Sequence, residues 1–242
     1  MKSIYYLILV VIFSSLISLN TYRFFSVDDM RLFLTVIGLI YGLMSAFSIN
    51  NAWEKFSKIR DAISDETASL KAIYIYSKYL SDKVAFNKIR KTILAYCSDV
   101  PRIEWAEYFN SKKTHEEFEK LINSVAGIEI KDTKDGKLFS DISGELRDAI
   151  ASRNTQLIMS QTKISSLQWT LNIFLSLILI MGLTFIATPN YSTFIFVIAS
   201  MIASIIFILV VIHEMDSLKI ADSEVYVSPY EEVVRLIKRD QK

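Results

Sequence analysis

Along this chain, long stretches with almost no charge alternate with stretches rich in it. Four runs are nearly pure in apolar side chains: Ile4–Leu19, Leu32–Ile49, Trp169–Ala187 and Tyr191–Ile212. Each approaches the roughly 20 residues that cross about 30 Å of hydrocarbon at about 1.5 Å per residue. Any one of them could be a buried core helix, but four leave too little polar surface to cover them all, so they read as four membrane spans. Between the second and third runs the pattern changes period. Apolar residues recur at helical spacing, as at Trp53, Phe56, Ile59, Ile63, Leu70 and Ile73, with charges between them.

The second run enters this amphipathic stretch with no Pro or Gly after Leu43 until beyond Leu80. One helix should therefore leave the bilayer and continue into water to about Leu80. Ser81 can cap a helix through about Ser98, and Pro101 suits the first turn of another. Thr114-His-Glu-Glu117 reads as a capping box opening a helix to about Ala126. Gly127–Lys137 carries two glycines and no apolar period, which predicts a loop. From about Ser140 a second rod is expected to run through Leu146, Ile150, Leu157, Ile164 and Leu167 into the third span, packing beside the first as a stalk. Near the end, Ser228 caps, Pro229 takes the first helical position, and a short amphipathic helix follows, to lie on the membrane surface or on the stalk.

The expected fold class is thus an all-α integral membrane protein: four transmembrane helices with a helical cytoplasmic stalk domain inserted between spans two and three. The divisions are residues 1–50 for spans one and two, 51–168 for the cytoplasmic domain, 169–213 for spans three and four, and 214–242 for the tail.

Charge orients this arrangement. The formal net charge is only +1, so nothing points to nucleic acid as a partner. Almost all of the 27 Lys and Arg fall in Asn50–Gln168 and His213–Lys242, while the short loops after spans one and three are nearly free of them. The positive-inside rule makes both blocks cytoplasmic, with both termini inside, in a multi-pass protein of the cell inner membrane. Lys2 and the first run also resemble a signal peptide, but no small-x-small cleavage site follows, and a retained anchor is expected. Tyr5, Tyr6, Tyr22 and Phe24 would then sit at the two membrane interfaces.

Chemistry is sparse. Cys97 is alone, His115 and His213 are far apart in sequence, and Asp132-Thr-Lys-Asp135-Gly136 lacks the remaining ligands of a calcium loop. No phosphate-binding Gly-rich loop, nucleophile elbow or zinc-binding helix motif is present. No enzyme, metal or cofactor is expected.

What remains are polar and small positions in apolar helices. Thr35, Gly38, Gly42 and Ser45 form one stripe of span two, and Ser200, Ala203 and Ser204 a similar face of span four. Such stripes either pack helices closely or line a narrow pathway. Trp169 and Asn172 open span three, with Ser176 on the same face. Asn50, Asn51 and Glu54 end span two as His213, Glu214 and Asp216 end span four, which would make a polar inner mouth if the two ends adjoin. The plain alternative is that every span must end in water. Two charges interrupt the apolar stripes of the rods, Glu66 on the first and Arg153 on the second. An unpaired charge there costs several kcal/mol, so an ion pair across the rods is expected, unless the side chains reach water from the stripe edge. The charge-swapped double variant should then recover part of what either single loses.

Taken together these residues resemble the bestrophin-like bacterial membrane proteins, a family with two spans, a helical cytoplasmic insert, two further spans and a short tail. The resemblance is carried by Gly42 to Leu70 (GLMSAFSINNAWEKFSKIRDAISDETASL), by Arg153 ahead of Trp169, and by Asp216 followed by Val227-Ser-Pro229. One departure is that Ser217-Leu-Lys follows Asp216 where the family usually has Pro and Phe. The resemblance implies a channel-like homo-oligomer passing inorganic ions and surrounded by membrane lipids. Two other functions are consistent with the residues: a membrane-anchored scaffold or sensor holding a cytoplasmic partner, and a conditional pore-forming effector.

Overall fold

The computed structural model describes residues 27–100, 112–184, 191–217 and 223–240. The first expected span, Ile4–Leu19, Pro101 and the turn at Pro189 lie outside them. Seven α-helices form among the described residues: α1 (Val27–Ser77), α2 (Lys83–Asp99), α3 (Lys112–Ala126), α4 (Thr133–Gln161), α5 (Ser166–Thr184), α6 (Tyr191–Asp216) and α7 (Ser223–Arg239). Three stretches are long and apolar enough to cross a membrane: within Met30–Ser77, within Thr133–Leu183, and Ile195–Asp216.

The chain forms two compact units, one of residues 1–52 and 164–214, the other of 53–163 and 215–242. In the first, α1, α5 and α6 bury Leu34, Tyr41, Leu175, Leu179, Leu183 and Ile205 against one another. Their outward faces are apolar too, with Leu32, Phe33, Leu39, Phe47, Phe174, Phe196 and Phe207 exposed. Side chains apolar both inside and outside suit helices whose surroundings are lipid. The closest approach falls at Gly182, where a Cβ would run into the Leu34 side chain.

The second unit is a helical bundle. Ile59, Ile63, Leu70 and Ile73 of α1 meet Ile89, Ile93 and Tyr96 of α2, Leu121 and Val125 of α3, Ile142 and Leu146 of α4, and Tyr226, Tyr230, Val233 and Ile237 of α7. The tail helix therefore packs into this core, resolving the choice the sequence left open.

Several boundaries differ from the sequence reading. α4 begins at Thr133, inside the expected loop, because Asp132 caps it: its Oδ1 accepts the Asp135 N–H at 2.7 Å. Gly136 lies within that first turn, so it breaks nothing. The second rod is not continuous. α4 stops at Gln161, Thr162 turns extended while its N–H bonds Ile158 O at 3.1 Å, and α5 starts at Ser166. The intervening Thr162-Lys-Ile-Ser165 offers hydroxyls that compete for backbone groups: Ser165 Oγ accepts the Leu167 N–H at 3.3 Å. α1, by contrast, is unbroken from Val27 to Ser77. α2 is capped by Asp82 rather than Ser81, and Thr114 lies inside α3 rather than before it. Pro229 sits within α7, which starts earlier than expected. Burial of Tyr226 against Phe56, with ring centroids 5.6 Å apart, holds the turn before the proline helical.

Candidate functional site

Two polar constellations stand out, one in each unit. In the apolar unit, Ser45 and Ser48 of α1 face Gln168, Asn172 and Ser176 of α5. Ser48 Oγ accepts from Asn172 Nδ2 at 2.7 Å and from Gln168 Nε2 at 2.8 Å, and donates to Met44 O at 2.9 Å. Ser45 Oγ donates to Asn172 Oδ1 at 3.4 Å, and Ser176 Oγ to Asn172 O at 2.7 Å. Four of these five side chains are buried. Away from water each unmet polar group would be costly, so the mutual pairing fixes how α1 and α5 meet.

The small-residue stripe of α1 is split by this seam. At 100° per residue Gly38 and Ser45 share one edge and Thr35 and Gly42 the other. The first edge faces α5: a Cβ at Gly38 would lie 3.8 Å from Leu179. Among the described residues the second is open, for Thr35 is exposed and no described atom lies within 4 Å of a Cβ at Gly42. Thr35 Oγ1 bonds its own helix at Arg31 O, 2.9 Å away. On α6, Ser200 and Ser204 are exposed, and Ser204 Oγ donates to Ser200 O at 2.9 Å.

The expected inner-mouth residues divide between the units. Asn50, Asn51 and His213 are exposed in the first, where His213 stands edge-on to Trp169 with centroids 6.2 Å apart; Glu214 is half-buried there. In the second, Glu54 pairs with Lys58 at 2.7 Å on the surface. Asp216 meets Lys55, whose buried ammonium lies 3.8 Å from the carboxylate and donates to Asp216 O at 2.7 Å. Sequence reasoning passed over Lys55. Its signal was position: it precedes Ile59, Ala62 and Glu66 on the inward stripe.

The second constellation surrounds Glu66, which has no exposed surface. Tyr96 Oη of α2 donates to Oε1 at 2.6 Å. Oε2 accepts Gln156 Nε2 of α4 at 2.6 Å and Tyr230 Oη of α7 at 2.8 Å. Arg153, also buried, donates through Nη1 to the Tyr96 hydroxyl, and its guanidinium lies over the Phe118 ring of α3, 4.9 Å from the centroid. The tyrosine hydroxyl thus relays between the two charges that the sequence paired directly. Five helices converge here. The sequence marked Glu66 and Arg153 by their charge; Tyr96, Tyr230 and Gln156 were missed because a Tyr on an apolar stripe reads as core. Cys97 adjoins this site, and burial, reinforced by the Glu66 charge, pushes its thiol well above the ordinary range.

Among the described residues no three His, Cys, Asp or Glu side chains are placed to hold a metal. A model of the bestrophin-like domain matches residues 28–218. The chain belongs to the bestrophin-like family. The match takes in α1 to α6, and with them the seam and four of the five polar members of the Glu66 site. Tyr230 and α7 fall beyond it, so this bestrophin-like protein completes its buried network with a helix outside the matched domain. No curated protein and no solved structure matches the chain.

Proposed function

We propose that the protein is a homo-oligomeric ion channel of the bacterial inner membrane, with both termini and the helical bundle in the cytoplasm. Membership of the bestrophin-like family is the observation that carries this reading. A symmetric ring is the economical way for subunits with few spans to enclose a pathway. Thr35, Gly42, Ser200 and Ser204 are the small and hydroxyl positions on open faces of α1 and α6, and they line the pathway in this reading. Gly38 and Ser45 stand behind them, holding α1 to α5. Asn50, Asn51, His213 and Glu214 flank the inner mouth. The orientation rests on the concentration of Lys and Arg in the two polar blocks. The channel needs no cofactor and is not an enzyme; inorganic ions, lipids and further copies of the chain are its partners.

The test is ion flux in liposomes reconstituted with the purified protein, under opposed chloride and potassium gradients. Flux above protein-free liposomes is expected. A folded, oligomeric protein that passes neither ion would reject the channel and favour the anchored scaffold.

A further inference from the structure

One end of the helical bundle gathers the close of α1, the starts of α2 and α4, and the close of α7. Ser81, between α1 and α2, gives its N–H to Asp135 Oδ1 in the first turn of α4 at 3.0 Å. Lys78 and Tyr74 both bond Asp240, just past α7, at 2.6 and 3.2 Å. Lys83 Nζ donates to Lys78 O at 3.1 Å.

The carboxylates here are engaged, by backbone N–H groups or by Lys78, although Asp132 stays exposed, as does Glu129 beside Ile130. Asp82 accepts the Val84 and Ala85 N–H groups, and Asp132 that of Asp135. Asp135 is itself buried, and hydrogen bonds from Ser81 hold its carboxyl below the usual range. Asp240 is lowered first by its bond from Lys78. Lys83, Lys131, Lys134, Lys137, Lys238 and Arg239 are exposed, with no ion pair to any described residue. Among these cations stand exposed apolar side chains: Tyr79 at 60%, Val84 at 79%, Ile130 at 56% and Ile75 at 43%. Single exposed apolar residues are ordinary, but four on the segments that meet at this end, interspersed in sequence with these cations, are not.

We infer that this end of the bundle is a docking surface for an acidic segment of another protein, whose apolar side chains seat on Tyr79, Val84, Ile75 and Ile130. Positive charge set around an apolar centre matches the reverse arrangement in such a segment, and the charges steer and orient it. The inference is independent of ion conduction.

The test uses the full-length protein in neutral detergent and a fluorescein-labelled peptide of about 15 residues, Glu and Asp interspersed with Leu and Trp. The comparison peptide carries Lys in place of the acids. Anisotropy should show binding of the acidic peptide that weakens as salt rises, and little binding of the basic one. Lys83→Glu with Lys134→Glu should lower affinity about tenfold or more, and Tyr79→Ser with Val84→Ser several-fold. Glu in the first turn suits a helix dipole, so the charge-reversed protein should keep its fold, checked by circular dichroism. Arg147→Glu, exposed elsewhere on α4, should bind as wild type. Equal binding of both peptides, or unchanged binding by the charge-reversed protein, overturns the inference. So does uptake of phosphatidylglycerol vesicles, or self-association, that the same substitutions abolish while peptide binding is absent.

Discussion

A carboxylate with no exposed surface is tolerated in a fold only when its lone pairs are met, and Glu66 receives donors from three helices. That arrangement changes what a charge swap should do. With Arg at 66 and Glu at 153, Tyr230 and Gln156 would have to turn acceptors toward the guanidinium, while the carboxylate at 153 would lie against the face of the Phe118 ring. The swapped variant should therefore recover none of the loss, contrary to what the bare Glu66–Arg153 pairing suggests. Glu66→Ala should cost about 3–5 kcal/mol in detergent melting, since it removes a buried charge and leaves three buried donors without their acceptor. Tyr230→Phe removes one donor of three and should cost about 1–2 kcal/mol. Equal losses for the two would contradict the network. Cys97 provides a pH readout beside it. Its raised value means that above the ordinary thiol range, about 8.5, the unfolded chain releases a proton the native protein keeps. Its contribution to stability is whole below that range and declines as pH rises through it. Cys97→Ala should flatten the alkaline loss of melting temperature, and native Cys97 should resist maleimide at neutral pH.

At the scale of elements, legibility followed periodicity. α1 could be read almost to its last residue, because apolar spacing held and nothing in the run breaks a helix. The end of α3 was equally plain. Boundaries failed where a local signal competed with tertiary packing or with a less obvious cap. Gly136 suggested a loop, yet Asp132, four residues earlier, starts a helix; Pro229 suggested a start, yet buried Tyr226 extends α7 back past it. The break after Gln161 was written in Thr162 and Ser165, whose hydroxyls an apolar count ignores. Glycines divide in the same way. Gly182 is where α5 meets Leu34 of α1, so Gly182→Leu should force the helices apart and cost about 1–3 kcal/mol. Gly42 meets none of the described residues, so Gly42→Leu should melt within about 0.5 kcal/mol of wild type. The reverse order would show that the open edge of α1 is a packing face.

For the molecule as a whole, family and membrane character were both legible, since span length and the Gly42–Leu70 segment survive in sequence. The candidate site was legible only in its charges. Tyr96, Gln156, Tyr230, Ser48 and Lys55 became visible only in the folded chain, because their role lies in partners up to 164 residues away. The channel reading places the open edge of α1 beside the conducting path, and Gly42 is the position from which that can be tested without disturbing the subunit. The decisive measurement is the chloride and potassium flux of Gly42→Leu in liposomes beside wild type, with oligomer size checked in the same preparation. A flux reduced about tenfold or more, from an oligomer of unchanged size, is the predicted result for a side chain that fills a narrow pathway. Wild-type flux through the Gly42→Leu protein would contradict it and move the path away from α1.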